Sequence, residues 1–355
     1  MKKNDISLLI SVVILTFFGL FMIYDASSFV AFRDFGDKYH YVKDQFIWIV
    51  LGLGALTFFS FFDYHKLHAL ALPILSGALV LLILVFVPGI GVNLLGANRW
   101  INLGAFLLQP AEFVKLALAI YLAAWFSHKE KGRLPAFLLL MGLVLGLVIS
   151  EPDMGTTAVI LAEGLIIYFL SGANIFYFSI IVPLLGFLGF LFVKFSSYRA
   201  ERLESFLNID STLQSSSYHV KQILIAFGSG GLLGVGLGNS LQKYAYLPES
   251  TTDSIFAIVA EELGFVGAVA LILFFIFIIS RCFKIAVNAK DNFGKLLAGG
   301  ITTFIAIQTI INLSAQTVLV PLTGIPLPFI SYGGSSLIVD LTAIGILLNI
   351  SKQGS

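Results

Sequence analysis

Tyr246-Leu-Pro-Glu249-Ser-Thr-Thr252-Asp253-Ser-Ile-Phe-Ala-Ile-Val-Ala-Glu261-Glu262 runs without a break from a polar, carboxylate-bearing loop into an apolar stretch. A carboxylate at such a junction costs free energy unless it is wet or paired, so its default reading is functional rather than packing. The stretch it opens, 253–281, is long enough to cross a bilayer, for which a helix needs about 17–25 residues. Comparable apolar runs lie near 6–30, 45–62, 68–88, 110–127, 134–150, 154–171, 173–195, 295–320 and 332–350. Their continuity predicts helices, because barrel strands would alternate apolar and polar residues. The expectation is an all-α polytopic membrane protein of about ten transmembrane helices. It forms a single domain over 1–355, with a large extracytoplasmic loop, about 196–252, between the seventh and eighth spans.

Composition agrees with this reading. Of 355 residues 58% are hydrophobic and 12% charged, with a mean hydropathy of +0.97, and a soluble domain could not keep such a surface wet. Lys and Arg set orientation, since short cytoplasmic loops retain them. With both termini inside, the cytoplasmic segments hold eleven: Lys2, Lys3, Lys66, Lys129, Lys131, Arg133, Arg281, Lys284, Lys290, Lys295 and Lys352. The short outer loops hold four, Arg33, Lys38, Lys43 and Arg99. Lys2 and Lys3 before an apolar run also fit a signal peptide, but the length of that run and the spans behind it favour an uncleaved anchor. A lone Cys282 excludes an intrachain disulfide and a thiolate metal site. With a net charge of +1 and no basic cluster, nucleic acid is not an expected partner.

Charges inside or at the edge of the apolar runs gather toward the outer face. Pro110 opens the fourth span, where its missing N–H costs nothing. Glu112 and Lys115 follow, three residues apart on one helix face, and are expected to pair. A structural ion pair and a role in a substrate site are both open. Asp153, in Glu151-Pro-Asp153-Met-Gly-Thr, is placed to cap the sixth helix. Arg99-Trp100 suits anchoring a loop at the headgroup level or gripping a phosphate. Glu261 and Glu262 come about two turns after Asp253, and at least one is expected to face a cavity or carry a proton, as are Glu163 and Asp340 at greater depth. Gly228-Ser-Gly-Gly-Leu-Leu-Gly-Val-Gly-Leu-Gly238 lacks the Lys-Ser/Thr ending of a P-loop. Its glycines, four apart, favour close packing of a membrane-dipping segment. Ahead of it, His219 to Phe227 reads as an interfacial helix. Pro321 to Ser336 is too rich in Pro and Gly to be helical, and at membrane depth such backbone is tolerated only where it lines a cavity or is covered by protein.

Gln109-Pro-Ala-Glu112-Phe-Val-Lys115, Glu151-Pro-Asp153-Met-Gly-Thr, the run Tyr246 to Gly264, and Pro321 to Ser336 together resemble the SEDS family of shape, elongation, division and sporulation proteins. Tyr24-Asp-Ala-Ser-Ser, Tyr198 to Leu207 and Gly236 to Lys243 resemble its division members more than its elongation members. The chain departs from the family at Ser250-Thr-Thr-Asp253-Ser254, where Ala-His-Thr-Asp-Phe is common, and at Glu151-Pro152, where Gln-Pro is usual.

The resemblance implies a peptidoglycan glycosyltransferase that polymerises lipid II at the outer face of the bacterial cytoplasmic membrane, during cell division at the septum. It implies partners in a class B penicillin-binding transpeptidase, other division proteins and membrane lipid. Lipid II already carries a diphosphate leaving group, so the reaction needs a base for the attacking hydroxyl and positive charge for the diphosphate. By resemblance Asp253 is that catalytic base, in a single inverting displacement. Arg99, Glu112, Lys115, Asp153, Lys243, Glu249, Thr252, Ser331 and Ser335 are the expected substrate-binding or site-supporting residues. Lys115 or Arg99 would hold phosphate, or a divalent cation, Mg2+ or Mn2+, would do so, and no metal ligand set is legible. A lipid II flippase and a non-catalytic division scaffold are the alternative readings.

Overall fold

The computed structural model describes residues 5–94, 97–104, 106–128, 132–194, 206, 215–244 and 246–354. Lys2, Lys3, Lys129 and Lys131 lie outside the described residues, as does the Tyr198 to Leu207 stretch apart from Phe206. Eleven helices are described: α1 (Ile6–Phe35), α2 (His40–Phe61), α3 (His65–Leu84), α4 (Pro110–Phe126), α5 (Leu134–Ser150), α6 (Met154–Leu170), α7 (Ile175–Lys194), α8 (Ser215–Gly230), α9 (Ile255–Asn288), α10 (Asn292–Gln316) and α11 (Gly334–Gly354). All but α8 correspond in order to the apolar runs of the sequence. Six of them, α1, α2, α3, α9, α10 and α11, are long and apolar enough to cross a membrane, while α5, α6 and the first part of α7 are shorter apolar helices.

One local feature differs from the all-helical expectation. Between α3 and α4 the chain forms a small antiparallel sheet, β1 (Gly91–Leu94), β2 (Ala97–Asn102) and β3 (Leu107–Leu108), in that spatial order. Strands this short carry little period-two pattern, and the Arg99-Trp100 segment, expected on a loop, lies in β2.

The bundle has two faces, each marked by charge. Arg281 near the end of α9 donates to Asp5 at the start of α1 over 2.7 Å. At the other end Lys243 joins Asp25 of α1 (2.9 Å) and Glu262 of α9 (3.1 Å). Along α1 these two layers are twenty residues apart, about 30 Å of helix, which matches the hydrocarbon core of a bilayer. Tyr64, Asp291 and Asn349 meet on the face of Asp5, where Tyr64 N donates to Asn349 Oδ1 over 3.1 Å and its hydroxyl to Asp291. Asp253 lies beyond the opposite layer. Helices α10 and α11 form the buried centre, lined by Leu297, Ile301, Phe304, Leu341, Ile344 and Leu347.

The chain between α8 and α9 folds back against the first turns of α9. Gly264 breaks that helix with φ 66° and ψ −168°. Four main-chain bonds then lace the two segments: Val235 N to Glu261 O (3.0 Å), Gly236 N to Glu262 O (3.1 Å), Phe265 N to Gly231 O (2.9 Å) and Val266 N to Leu232 O (3.1 Å). Gly234 sits at φ +82°, and a Cβ there would stand 2.0 Å from Glu262 O. The interfacial helix expected at His219 to Phe227 is α8. It stops at Gly230, so Gly230, Gly234 and Gly238 do not form a helical stripe; the last two occupy left-handed turns. Close packing is present, but through turn backbone.

Candidate active site

Asp253 is the second residue before α9, half-buried. The first helical turn closes on Ser254, whose carbonyl accepts from Ala257 N at 3.0 Å. The carbonyl of Asp253 is instead taken by two side-chain amides of α10, Asn312 Nδ2 at 3.0 Å and Gln316 Nε2 at 2.6 Å. Glu249, in the left-handed region at φ 51°, starts the turn: its carbonyl accepts from Thr252 N and Ser254 N, both at 3.1 Å. Thr252 Oγ1 donates to Glu249 Oε2 at 2.8 Å and lies 3.4 Å from Asp253 Oδ1. His219 of α8 meets Ser254 Oγ at 2.7 Å.

Residues 321–333 are non-helical and cover this loop, as their Pro and Gly content suggested, whereas Gly334 to Ser336, expected to be non-helical as well, form the first turn of α11. Ser331 Oγ donates to Thr252 O and accepts from Leu327 N at 2.8 Å; Tyr332 N donates to Thr251 O at 2.9 Å. Asn312 Nδ2 also donates to Ile325 O at 2.7 Å, so one amide ties both strips of backbone to α10.

Beneath this layer lies a buried ion pair. Lys115 Nζ stands 2.8 Å from Glu112 Oε2, each almost wholly buried. The same ammonium donates to Gln308 Oε1 at 2.5 Å, and Gln308 Nε2 donates to Pro326 O (3.1 Å) and Ser336 Oγ (3.4 Å). Ser336 approaches Asp340 Oδ2 at 3.5 Å, while Glu163 is fully buried nearby. Gln308, Asn312 and Gln316 recur every fourth residue, so they line one face of α10 and connect the ion pair to Asp253.

A third group sits at the α5–α6 turn. Asp153 caps α6, accepting from Thr156 N at 3.0 Å, and its other oxygen accepts from Gln109 Nε2 at 3.2 Å. Gln109 N donates to Ser335 Oγ at 3.0 Å, which joins this turn to the start of α11. Arg99, carried in by β2, donates to the carbonyls of Glu151 (3.0 Å) and Pro152. Glu151 is fully buried; burial, together with the negative charge of Asp153 and against the pull of Arg99, pushes its carboxyl up to about 8.

The sequence-predicted residues therefore fall into three groups. Asp253, Glu249, Thr252 and Ser331 form one; Arg99, Asp153 and Ser335 surround the α5–α6 turn; Glu112 and Lys115 lie below. Lys243 stands apart, held by Asp25 and Glu262. Both neighbouring glutamates are hydrogen-bonded through their carboxylates. Glu262 accepts from Gly238 N (3.1 Å) and Ser240 N (3.2 Å), and Glu261 from Ser229 Oγ (3.1 Å), Leu241 N (3.3 Å) and Ser240 Oγ. Lys115 and Lys243 are both buried, Lys115 against Glu112 and Gln308 and Lys243 against Asp25 and Glu262. Among the described residues no group of three or more His, Cys, Asp or Glu side chains is set to hold a metal ion. The α10 amides escaped the sequence reading; their spacing in an otherwise apolar helix was the available signal.

Residues 6–355 match the profile of the family described as cell cycle protein, FtsW, RodA and SpoVE. A probable peptidoglycan glycosyltransferase FtsW of Trichlorobacter lovleyi is 42% identical, over 99% of this chain and 94% of that protein. The stage V sporulation protein E of Bacillus subtilis is 40% identical, over 98% and 97%. Among solved structures, a chain from work on the structural coordination of polymerization and crosslinking by a peptidoglycan synthase complex superposes with a TM-score of 0.81 at 25% identity, covering 100% of this chain and 99% of that one. The rod shape determining protein RodA of Thermus thermophilus superposes with a TM-score of 0.73 at 27% identity, over 98% and 96%.

Proposed function

The chain belongs to the FtsW, RodA and SpoVE family of cell cycle proteins, and from that premise we infer that it is a peptidoglycan glycosyltransferase of the cytoplasmic membrane that polymerises lipid II. The Asp253 face is the outer one, with both termini in the cytoplasm. Asp253 takes the proton of the attacking sugar hydroxyl while that oxygen bonds to the anomeric carbon of the second lipid II. The bond from that carbon to the diphosphate breaks on the opposite side, inverting the centre and releasing the lipid diphosphate. General-base assistance of this kind contributes about 10²–10⁴ in rate. The observation that carries this reading is the convergence on Asp253: its carbonyl is held by two α10 amides and its loop by Ser331 and Tyr332.

A class B penicillin-binding transpeptidase is the partner, in keeping with the complex of polymerization and crosslinking in which a structural relative was seen. The role is in division, in keeping with relatives named FtsW. Positive charge for the diphosphate comes from Arg99 or from a divalent cation, Mg2+ or Mn2+, that arrives with it.

The test is glycan-chain formation from labelled lipid II by the purified complex, with the partner's crosslinking blocked. Wild type is expected to form chains and Asp253→Asn to form them about 10²-fold or more slowly; absence of chains from correctly partnered wild type contradicts the polymerase reading. Orientation is read separately in a Cys282→Ser background. An impermeant thiol reagent applied to intact cells is expected to label Asn239→Cys and spare His128→Cys, and the reverse pattern refutes the outer placement.

A further inference from the structure

Three observations set the amides of α10 apart. First, the Asp253 carbonyl lies outside the helical bonding of α9 and receives two donors, Asn312 Nδ2 and Gln316 Nε2, which fill both of its lone pairs. Fixing that carbonyl fixes the peptide plane after Asp253, and with it the direction in which the side chain leaves the backbone. Second, the other half of each amide is left over: Asn312 Oδ1 and Gln316 Oε1 are buried with no hydrogen-bond partner among the described residues. A buried acceptor without a donor costs folding free energy, so a helix contact selected for stability alone would not place two of them side by side. Third, the same face continues to Gln308, whose amide is used at both ends, by Lys115 on one side and by Pro326 O and Ser336 on the other.

We infer that Gln316 and Asn312 are positioning residues that aim Asp253 by clamping its main-chain carbonyl, and that Gln308 extends this clamp to the Glu112–Lys115 pair. The inference rests on the reading of Asp253 as the base. It gives the buried ion pair a task that needs no contact with substrate: Lys115 orients Gln308, Gln308 holds the 321–333 segment, and that segment with Asn312 holds the Asp253 loop. Buried, unpaired amide oxygens are where the fold gives up stability for geometry, as functional sites do.

A clamp and a merely structural amide differ in what their removal does. Gln316→Met keeps the length of the side chain, removes the donors and also removes the stranded oxygen. In the complex with its transpeptidase, supplied with purified lipid II, Gln316→Met and Asn312→Leu are each expected to lower kcat about 10- to 100-fold, the scale on which misplacing a catalytic group acts. The KM for lipid II is expected to stay within about twofold, since uniform binding is untouched, and the Tm of Gln316→Met, which leaves Asn312 on the Asp253 carbonyl, to match or exceed that of wild type. In an Asp253→Asn background the Gln316 substitution is expected to change the residual rate no further. A folded Gln316→Met with kcat within about threefold of wild type overturns the inference, as does a loss of kcat that tracks a loss of Tm. Should Gln316→Met not fold, the isosteric Gln316→Glu is read in its place, and failure of both to fold assigns Gln316 to structure and overturns the inference too. Failure of the underlying reading shows separately: chains of wild-type length from Asp253→Asn alone remove the base, whatever the amide variants do.

Discussion

Asp253 and Glu261 are eight residues apart on one stretch of chain, yet the protein holds them in opposite ways. Around Asp253 the α10 amides and the Ser331 hydroxyl grip main chain, the carbonyls of Thr252 and Asp253 accepting from Ser331, Asn312 and Gln316, while the Thr252 hydroxyl lies 3.4 Å from the carboxylate. Around Glu261 and Glu262 the neighbours grip the carboxylates themselves, through the N–H groups of Gly238, Ser240 and Leu241 and the ammonium of Lys243. In the proposed function the first arrangement aims a side chain. The second consumes side chains so that a non-helical turn can sit against a membrane helix without stranded backbone donors. Position near the membrane edge is the same for both, and the two differ in the pattern of partners: main chain is gripped at Asp253, carboxylates at Glu261 and Glu262.

The largest effect should come from breaking the architectural region. Gly234→Ala adds a Cβ 2.0 Å from Glu262 O at a backbone φ of +82°. Separating the turn from α9 removes the main-chain lacing, and a loss of about 5 kcal/mol or more is expected, with poor recovery of folded protein by size-exclusion chromatography. Lys243→Met leaves Asp25 and Glu262 facing each other without their cation, and should cost about 3–5 kcal/mol. Thermal unfolding of the purified protein reads this directly. An unchanged Tm would mean that the carboxylates are not held by Lys243.

Intermediate effects are expected at the buried pair. Lys115→Met strands Glu112, so the single change should lower Tm more than the double change Glu112→Gln, Lys115→Met does. Polymerisation should stay low in the double variant, because Gln308 has lost its donor. Full recovery of activity in the double variant would reduce the pair to a local packing device.

The smallest effect is one of pH. Glu151 carries its proton up to about 8 in the fold, against an ordinary value of 4.5, because burial disfavours its charge. Between these values the folded state binds a proton that the unfolded state has lost, so stability falls as pH rises through this window. Tm should therefore decline between about pH 5 and pH 8, and Glu151→Gln should flatten that decline. A slope that survives the substitution would assign it to other groups.

Much of this was legible in the chain because membranes impose a strong rule: backbone in lipid must be satisfied within the segment, so spans appear as long apolar runs. The order of the apolar helices, the Asp153 cap, the Glu112–Lys115 pair and the non-helical character of 321–333 follow from local spacing and local residue types, whereas the helix ends do not: α1 runs on to Phe35 rather than 30 and α9 to Asn288 rather than 281. What stayed hidden depends on contacts distant in sequence. The amides of α10 act on residues far along the chain in both directions, and nothing in their own neighbourhood says that two will meet the Asp253 carbonyl. For Glu261 and Glu262 the sequence leaves a cavity or a bound proton as the ways to hold a carboxylate there, because their partners arrive from a glycine-rich turn whose path no periodicity encodes. The strand that carries Arg99 to the α5–α6 turn was missed for its brevity.

The comparison itself is tested most directly by measuring two substitutions of matched chemistry side by side, Asp253→Asn and Glu262→Gln, for chain-forming rate and Tm in the same purified complex. Each replaces a carboxylate with its amide, so size is nearly constant. The expected result is a crossed pattern: Asp253→Asn loses about 10²-fold or more in rate with little change in Tm, whereas Glu262→Gln loses Tm, and whatever folded protein remains polymerises at close to the wild-type rate. Wild-type-like chains from Asp253→Asn, or a Glu262→Gln protein that is fully stable and inactive, would contradict the assignment of chemistry to one carboxylate and architecture to the other.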